Sequence, residues 1–203
     1  ISRLDTLIVS HGDRDHSAGI ESLRPWWVSG ALWAGPDLAD AVGAQVCRAG
    51  AAWRWRDDVR FQLLSPAEGE QLNKNDGSCV LRIQLPGSEL LLPGDIGAER
   101  ERTLVRYWRS SLASDIALAA HHGSHTSSSW AWLRQVAPAY VVFTHARANP
   151  FGHPARVVVD RHSVAGIPTF STAESGALEW VLHPAKVPVL FQHRALEPRY
   201  WKR

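Results

Sequence analysis

The apolar residues of this chain fall into short runs broken by Gly, Pro and Asp, and the runs alternate between strand-like and helix-like spacing. Leu4 to Ser10 is an apolar, β-branched stretch that predicts a buried strand ending just before a polar loop. Ser17 to Leu23 predicts the opening of a helix, and Trp26 to Trp33 a second strand. Pro36 in a first-turn position, followed by Asp37 to Gln45, predicts a short helix. Val59 to Ser65, Ser78 to Gln84 and Glu89 to Pro93 read as strands, the last two joined by a turn at Pro86-Gly87. From Gly97 the spacing becomes helical, with Leu104, Tyr107 and Trp108 near one face and Arg100, Arg102, Arg106 and Arg109 among the polar positions. Ile116 to Ala120 returns to strand, and a Ser-rich loop leads to a helix near Trp130 to Val136. The strand Tyr140 to Thr144, the helix Ala155 to Ala165 and strands near Thr169-Phe170 and Leu178 to Leu182 complete a mixed α/β series.

Composition narrows the class. With 203 residues, 45% hydrophobic and 21% charged, and a net charge of +2, the chain suits a single globular domain and not a disordered one. No apolar run approaches the roughly 20 residues of a membrane-spanning helix, and no signal peptide is visible. A chain that opens Ile-Ser-Arg and contains no methionine reads as a piece of a longer product. Cys47 and Cys79 are too few for a disulfide framework and read as two buried, inert thiols. From Lys186 onward the basic composition reads as a solvated tail, giving a domain over 1–185 and a tail over 186–203.

The chemistry is concentrated in loops directly after strands. His11-Gly12-Asp13-Arg14-Asp15-His16 packs two His and two Asp into six positions. Imidazole and carboxylate together suit zinc, manganese or iron, whereas all-oxygen sets suit calcium or magnesium. In a turn, His11 and Asp13 can face one side and Asp15 and His16 another, so one loop can serve two adjacent ions. Asp95, ending the strand before Gly94-Asp95, offers a carboxylate able to bridge them. His121, His122 and His125 sit in a hydroxyl-rich loop whose N–H groups can hold an anion. His153 lies in the turn Asn149-Pro150-Phe151-Gly152-His153-Pro154, before a helix. Ten tryptophans and the arginines of the Gly97 to Arg109 helix are read mainly as core and as solvated helix face, with base stacking and phosphate tracking as the functional alternatives.

These loops, in this order, resemble the metallo-β-lactamase superfamily, with His11-x-Asp13-x-Asp15-His16 as a variant of its HxHxDH signature. The Asn75-Asp76-Gly77-Ser78 segment, Leu91 to Asp95, His121 to Ser124 and Gly152-His153-Pro154 resemble one branch, the hydrolase-like domain of ComEC-type DNA-uptake proteins. The resemblance implies an αββα sandwich whose first strands lie upstream of Ile1. It implies two divalent ions, zinc or manganese: His11 and Asp13 on one, Asp15 and His16 on the other, Asp95 bridging and His121 closing the set. Asp15 would also orient a metal-held hydroxide for in-line attack on a DNA phosphodiester, His153 would bind metal or protonate the leaving oxygen, and His122, Ser124 and Asn149 fall on the substrate side. Asp76 or water would replace the mid-chain His of other members, because Ser17 to Gly94 contains no histidine. The implied partners are DNA, single-stranded in the uptake setting, and the membrane channel of the same parent chain, with this domain on the extracytoplasmic side of the bacterial inner membrane. Hydrolysis of an ester, thioester or lactam, or a non-catalytic DNA-guiding role, are the alternatives.

Overall fold

Two sheets stack face to face, and helices cover the outer face of each. In the computed structural model, which describes residues 4–26, 30–55, 58–182 and 188–196, the chain begins with β1 (Thr6–Val9), α1 (Arg14–Ser17), α2 (Ile20–Leu23), β2 (Ala31–Ala34), α3 (Ala39–Val42) and β3 (Gln45–Val46). It continues through β4 (Ala52–Trp55), β5 (Val59–Ser65), β6 (Val80–Leu85), β7 (Ser88–Leu92), α4 (Ala98–Trp108), β8 (Ile116–Leu118), α5 (Trp130–Val136) and β9 (Tyr140–Phe143). The last elements are α6 (Arg156–Val164), β10 (Thr169–Ser171), α7 (Thr172–Ser175), β11 (Leu178–Val181), β12 (Val189–Gln192) and α8 (His193–Leu196). Strands β1-β2-β3 form a parallel sheet, and β10-β9-β8-β7-β6-β5-β4 a seven-stranded one that is antiparallel from β4 to β7 and parallel from β7 to β10.

Side-chain alternation assigns the layers. Along β5 to β7, Leu64, Val80 and Leu91 face Leu104 of α4, Leu133 of α5 and Val158 of α6, whereas Leu63, Leu81 and Leu92 face Ile8 and Trp33 of the small sheet. Val9, Leu32 and Ala34 point the other way, onto Ile20 of α2 and Ala39 of α3. This is the αββα sandwich the resemblance implies. Trp33, Trp53 and Phe61 stack between the sheets, at 5.8 and 5.3 Å between centroids, so the tryptophans of β2 and β4 divide between core and surface: Trp55 remains half exposed.

Several local expectations change. The Trp26 to Trp33 strand contracts to β2, with Arg24–Trp26 in a 3-10 turn and 27–29 outside the described residues. The helix expected over Asp37 to Gln45 is only α3, because Asp37 is drawn to the signature loop, where its Oδ2 accepts from Gly12 N at 2.9 Å. Cys47 and Cys79 are not two thiols: they form a disulfide across a sequence separation of 32, buried between the two sheets. Part of the basic tail is ordered, since β12 pairs antiparallel with β11. The α4 face carrying Arg100 and Glu101 is not solvated. Arg100 is buried, paired with Glu70 at 2.5 Å and with Ser65 Oγ at 3.0 Å, which removes it from any phosphate-tracking set, while Arg102, Arg106 and Arg109 stay exposed. Among the described residues no helix is long and apolar enough to cross a membrane.

Candidate metal centre

The site lies where the carboxyl ends of β1, β7, β8 and β9 converge, so loops far apart in sequence meet over one edge of the sandwich. Cys79 N donates to Ser10 O at 2.9 Å and His121 N to Gly94 O at 3.0 Å, which ties the loops together through backbone. Gly94 is required at its turn: its φ is +61°, and a Cβ there would lie 2.7 Å from Ser78 Cβ.

Asp95 is at the centre. Its Oδ2 lies 3.4 Å from His16 Nε2, 3.5 Å from His122 Nε2, 3.8 Å from His11 Nε2 and 3.9 Å from His121 Nε2. His16 and His122 Nε2 are 3.1 Å apart, and Asp15 Oδ2 lies 3.4 Å from His122 Nε2. Donors held at zinc–nitrogen distance around one tetrahedral centre stand about 3.3 Å apart, so these separations fit ligands sharing ions. The bonds behind these rings agree. Nδ1 of both His11 and His16 meets Ser10 Oγ at 3.1 Å, and His122 Nδ1 meets Thr144 Oγ1 at 3.1 Å. These hydroxyls orient the three rings so that Nε2 of His11, His16 and His122 is turned toward Asp95. His11 Nε2 is buried with no hydrogen-bond partner, an orphan that a cation would satisfy.

Electrostatics prepare the same groups. Burial holds the His11 imidazole below its ordinary pKa, and neighbouring His16 adds to this, so it is a neutral ligand. Burial alone would raise Asp95, but its bond with His16 and the nearby His122 and His121 outweigh that and keep it ionised below the usual range. Burial opposes a charge on His16, yet its bond with Asp95 and the surrounding carboxylates raise it overall. The Lys74 ammonium, 3.0 Å from Asp13 Oδ1, lowers Asp13, whose Oδ2 remains 3.5 Å from His11 Nε2.

Two three-residue ligand groups result: His11, His16 and Asp95, and Asp15, His16 and His122. His122, read from the sequence as a substrate-side residue, falls in one of these groups, while His121, expected to close the set, has its Nε2 3.9 Å from Asp95 Oδ2 and 3.4 Å from Asn75 Nδ2. His121 and His122 both adopt left-handed φ, 51° and 54°, a strain of about 1–3 kcal/mol each. Asp76 does not substitute for the absent mid-chain His. Its Oδ1 accepts from Gly97 N at 2.8 Å and its Oδ2 from Asn73 Nδ2 at 2.8 Å.

Two residues expected on the substrate side also hold their loops, and Asn149 lines a cavity with Asp15, His122 and His153. Ser124 is buried and bonds Thr126, and Asn149 bridges His153 N at 2.8 Å and His153 O at 2.7 Å. The loop N–H groups expected to hold an anion hold the protein's own: buried Glu101 accepts from Ser128 N at 2.5 Å and Ser129 N at 2.7 Å. Desolvation raises the Glu101 pKa, against those two backbone donors. His153 stays beside the cluster, its ring 5.7 Å from that of His121, with a pKa lowered by burial and by His121 and His122. Motif and spacing do not single out Ser10, Lys74 or Thr144; of the three, only Ser10 lies next to a candidate ligand in sequence. Ser10→Ala should weaken metal binding about 10–100-fold with little loss of stability, because it frees two imidazoles at once; competition with a metal-chelating dye measures it, and unchanged affinity would dismiss the orienting role of Ser10.

Similarity to known proteins identifies the family. A family model described as the metallo-beta-lactamase superfamily matches residues 1–145. The chain is 36% identical over 204 residues to Competence protein ComA of Neisseria gonorrhoeae, covering 100% of this chain and 28% of that protein. It spans only 20 to 28% of the length of the curated relatives it matches. Among solved structures it is similar in fold to CmlA, a diiron beta-hydroxylase from Streptomyces venezuelae, at TM-score 0.55 and 11% identity over 95% of this chain and 45% of that one. It is also similar to Zn(2+)-bound PqqB from Methylobacterium extorquens, at TM-score 0.51 and 15% identity over 82% and 70% of the two chains. With its sandwich, its signature loop after β1 and its Gly-Asp after β7, the chain belongs to the metallo-beta-lactamase superfamily.

Proposed function

We propose that this chain is a metal-dependent hydrolase domain that cleaves phosphodiester bonds of DNA as part of a ComEC-type uptake protein. The observation that carries the metal-hydrolase half is the Asp95 carboxylate ringed by four imidazole nitrogens at 3.4 to 3.9 Å. Similarity to a competence protein supports the DNA half. The buried disulfide suits an oxidising compartment, which favours the extracytoplasmic side of the inner membrane, beside the channel of the parent chain.

In this reading His11, His16 and Asp95 would hold one divalent ion and Asp15, His16 and His122 the other, with Asp13 beside His11 at 3.5 Å as a further carboxylate for the first. Zinc or manganese suits the mixed imidazole and carboxylate set. Bound there, the ions supply positive charge for the phosphate and lower the pKa of water. The chain's own groups do the rest. Asp15, exposed at the mouth, accepts a proton from the attacking water and orients it. Lys74 pairs with Asp13, and His153 donates a hydrogen bond to the leaving oxygen, which takes up a proton from solvent as it departs.

The test is cleavage of labelled single-stranded DNA by purified chain loaded with manganese or zinc. His11→Ala and Asp15→Ala should each lower the rate by at least about a hundredfold with the fold intact. Equal cleavage by all three proteins would identify a contaminating nuclease. Turnover of a lactam or thioester without DNA cleavage would replace the phosphodiesterase reading, and metal and DNA binding without turnover would make this a guiding domain.

A further inference from the structure

The turn carrying His153 also holds a phenylalanine ring out into solvent beside the metal ligands. Phe151 is 75% exposed and stands on a turn braced at several points. Asn149 clamps the turn from both sides of His153, and Ala155 N donates to Gly123 O at 2.9 Å, anchoring it to the histidine loop. The Phe151 ring lies 5.8 Å from the His153 ring at an interplanar angle of 17°, and His153 lies 6.4 Å from His122 at 27°. Three near-parallel rings thus step outward from a metal ligand to the surface.

A single exposed apolar side chain needs no explanation by itself. This one lines a cavity of about 280 Å³ that it shares with Asp15, His122, Thr144 and His153. A phosphate at the ligand cluster therefore has a recess next to it that includes an exposed aromatic ring. The sequence directs attention to tryptophan for stacking, but Trp33 and Trp53 are occupied with each other between the sheets.

We propose that Phe151 is the platform on which an unpaired nucleobase of the substrate strand stacks beside the scissile phosphate, so that the site takes single strands in preference to duplex. The inference rests on the phosphodiesterase reading and adds the group that recognises the strand. A paired base inside a duplex has both faces covered by its neighbours and must be pulled out before it can stack on protein. Because every base has a π-face, such a platform selects strandedness and not sequence.

The experiment compares wild type, Phe151→Ala and Phe151→Trp on oligo(dT), on a strand of the same length built from abasic units, and on duplex. Binding is followed by fluorescence anisotropy in EDTA, and cleavage by kcat/KM in manganese. Phe151→Ala should lose about tenfold or more in affinity and in kcat/KM for oligo(dT), chiefly through KM, while Phe151→Trp retains both. On the abasic strand the ratio of wild type to Phe151→Ala should fall to near one, and wild type should favour oligo(dT) over duplex. Unchanged oligo(dT) binding in Phe151→Ala, or an equal loss on the abasic strand, would overturn the platform and leave the nuclease reading standing. If metal-loaded wild type cleaves no DNA at all, the nuclease reading falls and takes the platform with it.

Discussion

Asp95→Ala should strip the chain of both divalent ions, the largest effect expected of any single substitution. The reason is geometric: one Asp95 oxygen lies within 3.9 Å of Nε2 of His11, His16, His121 and His122, and it holds at 3.4 Å the His16 imidazole that belongs to both ligand groups. Removing it leaves imidazoles from two loops facing one another without the charge that offsets a second cation. Elemental analysis after gel filtration should find about two ions per chain in wild type and fewer than one in the variant. Stability offers a second readout, because an ion that binds only the folded chain at a thousand times its Kd adds about 4 kcal/mol. Wild type should therefore melt at higher temperature with added zinc or manganese, and Asp95→Ala should not. Two ions retained by the variant would remove Asp95 from the bridging position.

Converting both cysteines of the Cys47–Cys79 pair to alanine should cost about 3–4 kcal/mol of stability, the loop-closure value expected for a cross-link of this span. The effect should also reach the metal centre. Cys79 lies next to Ser78, whose Oγ accepts from Asp95 N at 3.1 Å and sits 3.4 Å from His11 Nδ1, and Cys79 N holds Ser10 O. Loosening β6 from the small sheet therefore loosens the shell that orients two ligands. Urea unfolding of wild type, reduced wild type and the double variant measures the first effect, and metal titration of the same proteins the second. Identical midpoints with and without reductant would show that the cross-link contributes nothing to the folded chain. Free thiols titrated in unfolded, unreduced protein would show that it does not form.

The two ligand loops differ in how much of them was legible. His11, Asp13, Asp15 and His16 occupy six consecutive positions after a predicted strand, so proximity in sequence guarantees proximity in space. The Gly-Asp after β7 was legible for the same local reason. The choice between His121 and His122 was not, since adjacent residues differ in direction by backbone φ and by a partner, Thr144, that arrives from another strand. Glu101 illustrates the same limit. By spacing it belongs to a charged helix face, but packing of α4 against the histidine loop makes it the acceptor for two of that loop's N–H groups.

From sequence alone come the mixed α/β series of short strands and helices, the loop motifs whose family resemblance implies the layered sandwich, and the inventory of imidazoles and carboxylates, hence a metal centre. All are written locally, in side-chain period and residue type. Tertiary structure alone decided which nitrogens converge on Asp95, that Cys47 meets Cys79 across 32 residues, that Ser124 and Asn149 serve their own loops, and that Phe151 stands free beside the ligands. Those outcomes depend on how strands distant in the chain stack and where their carboxyl ends meet, and on which polar groups remain unpaired once the sheets have closed.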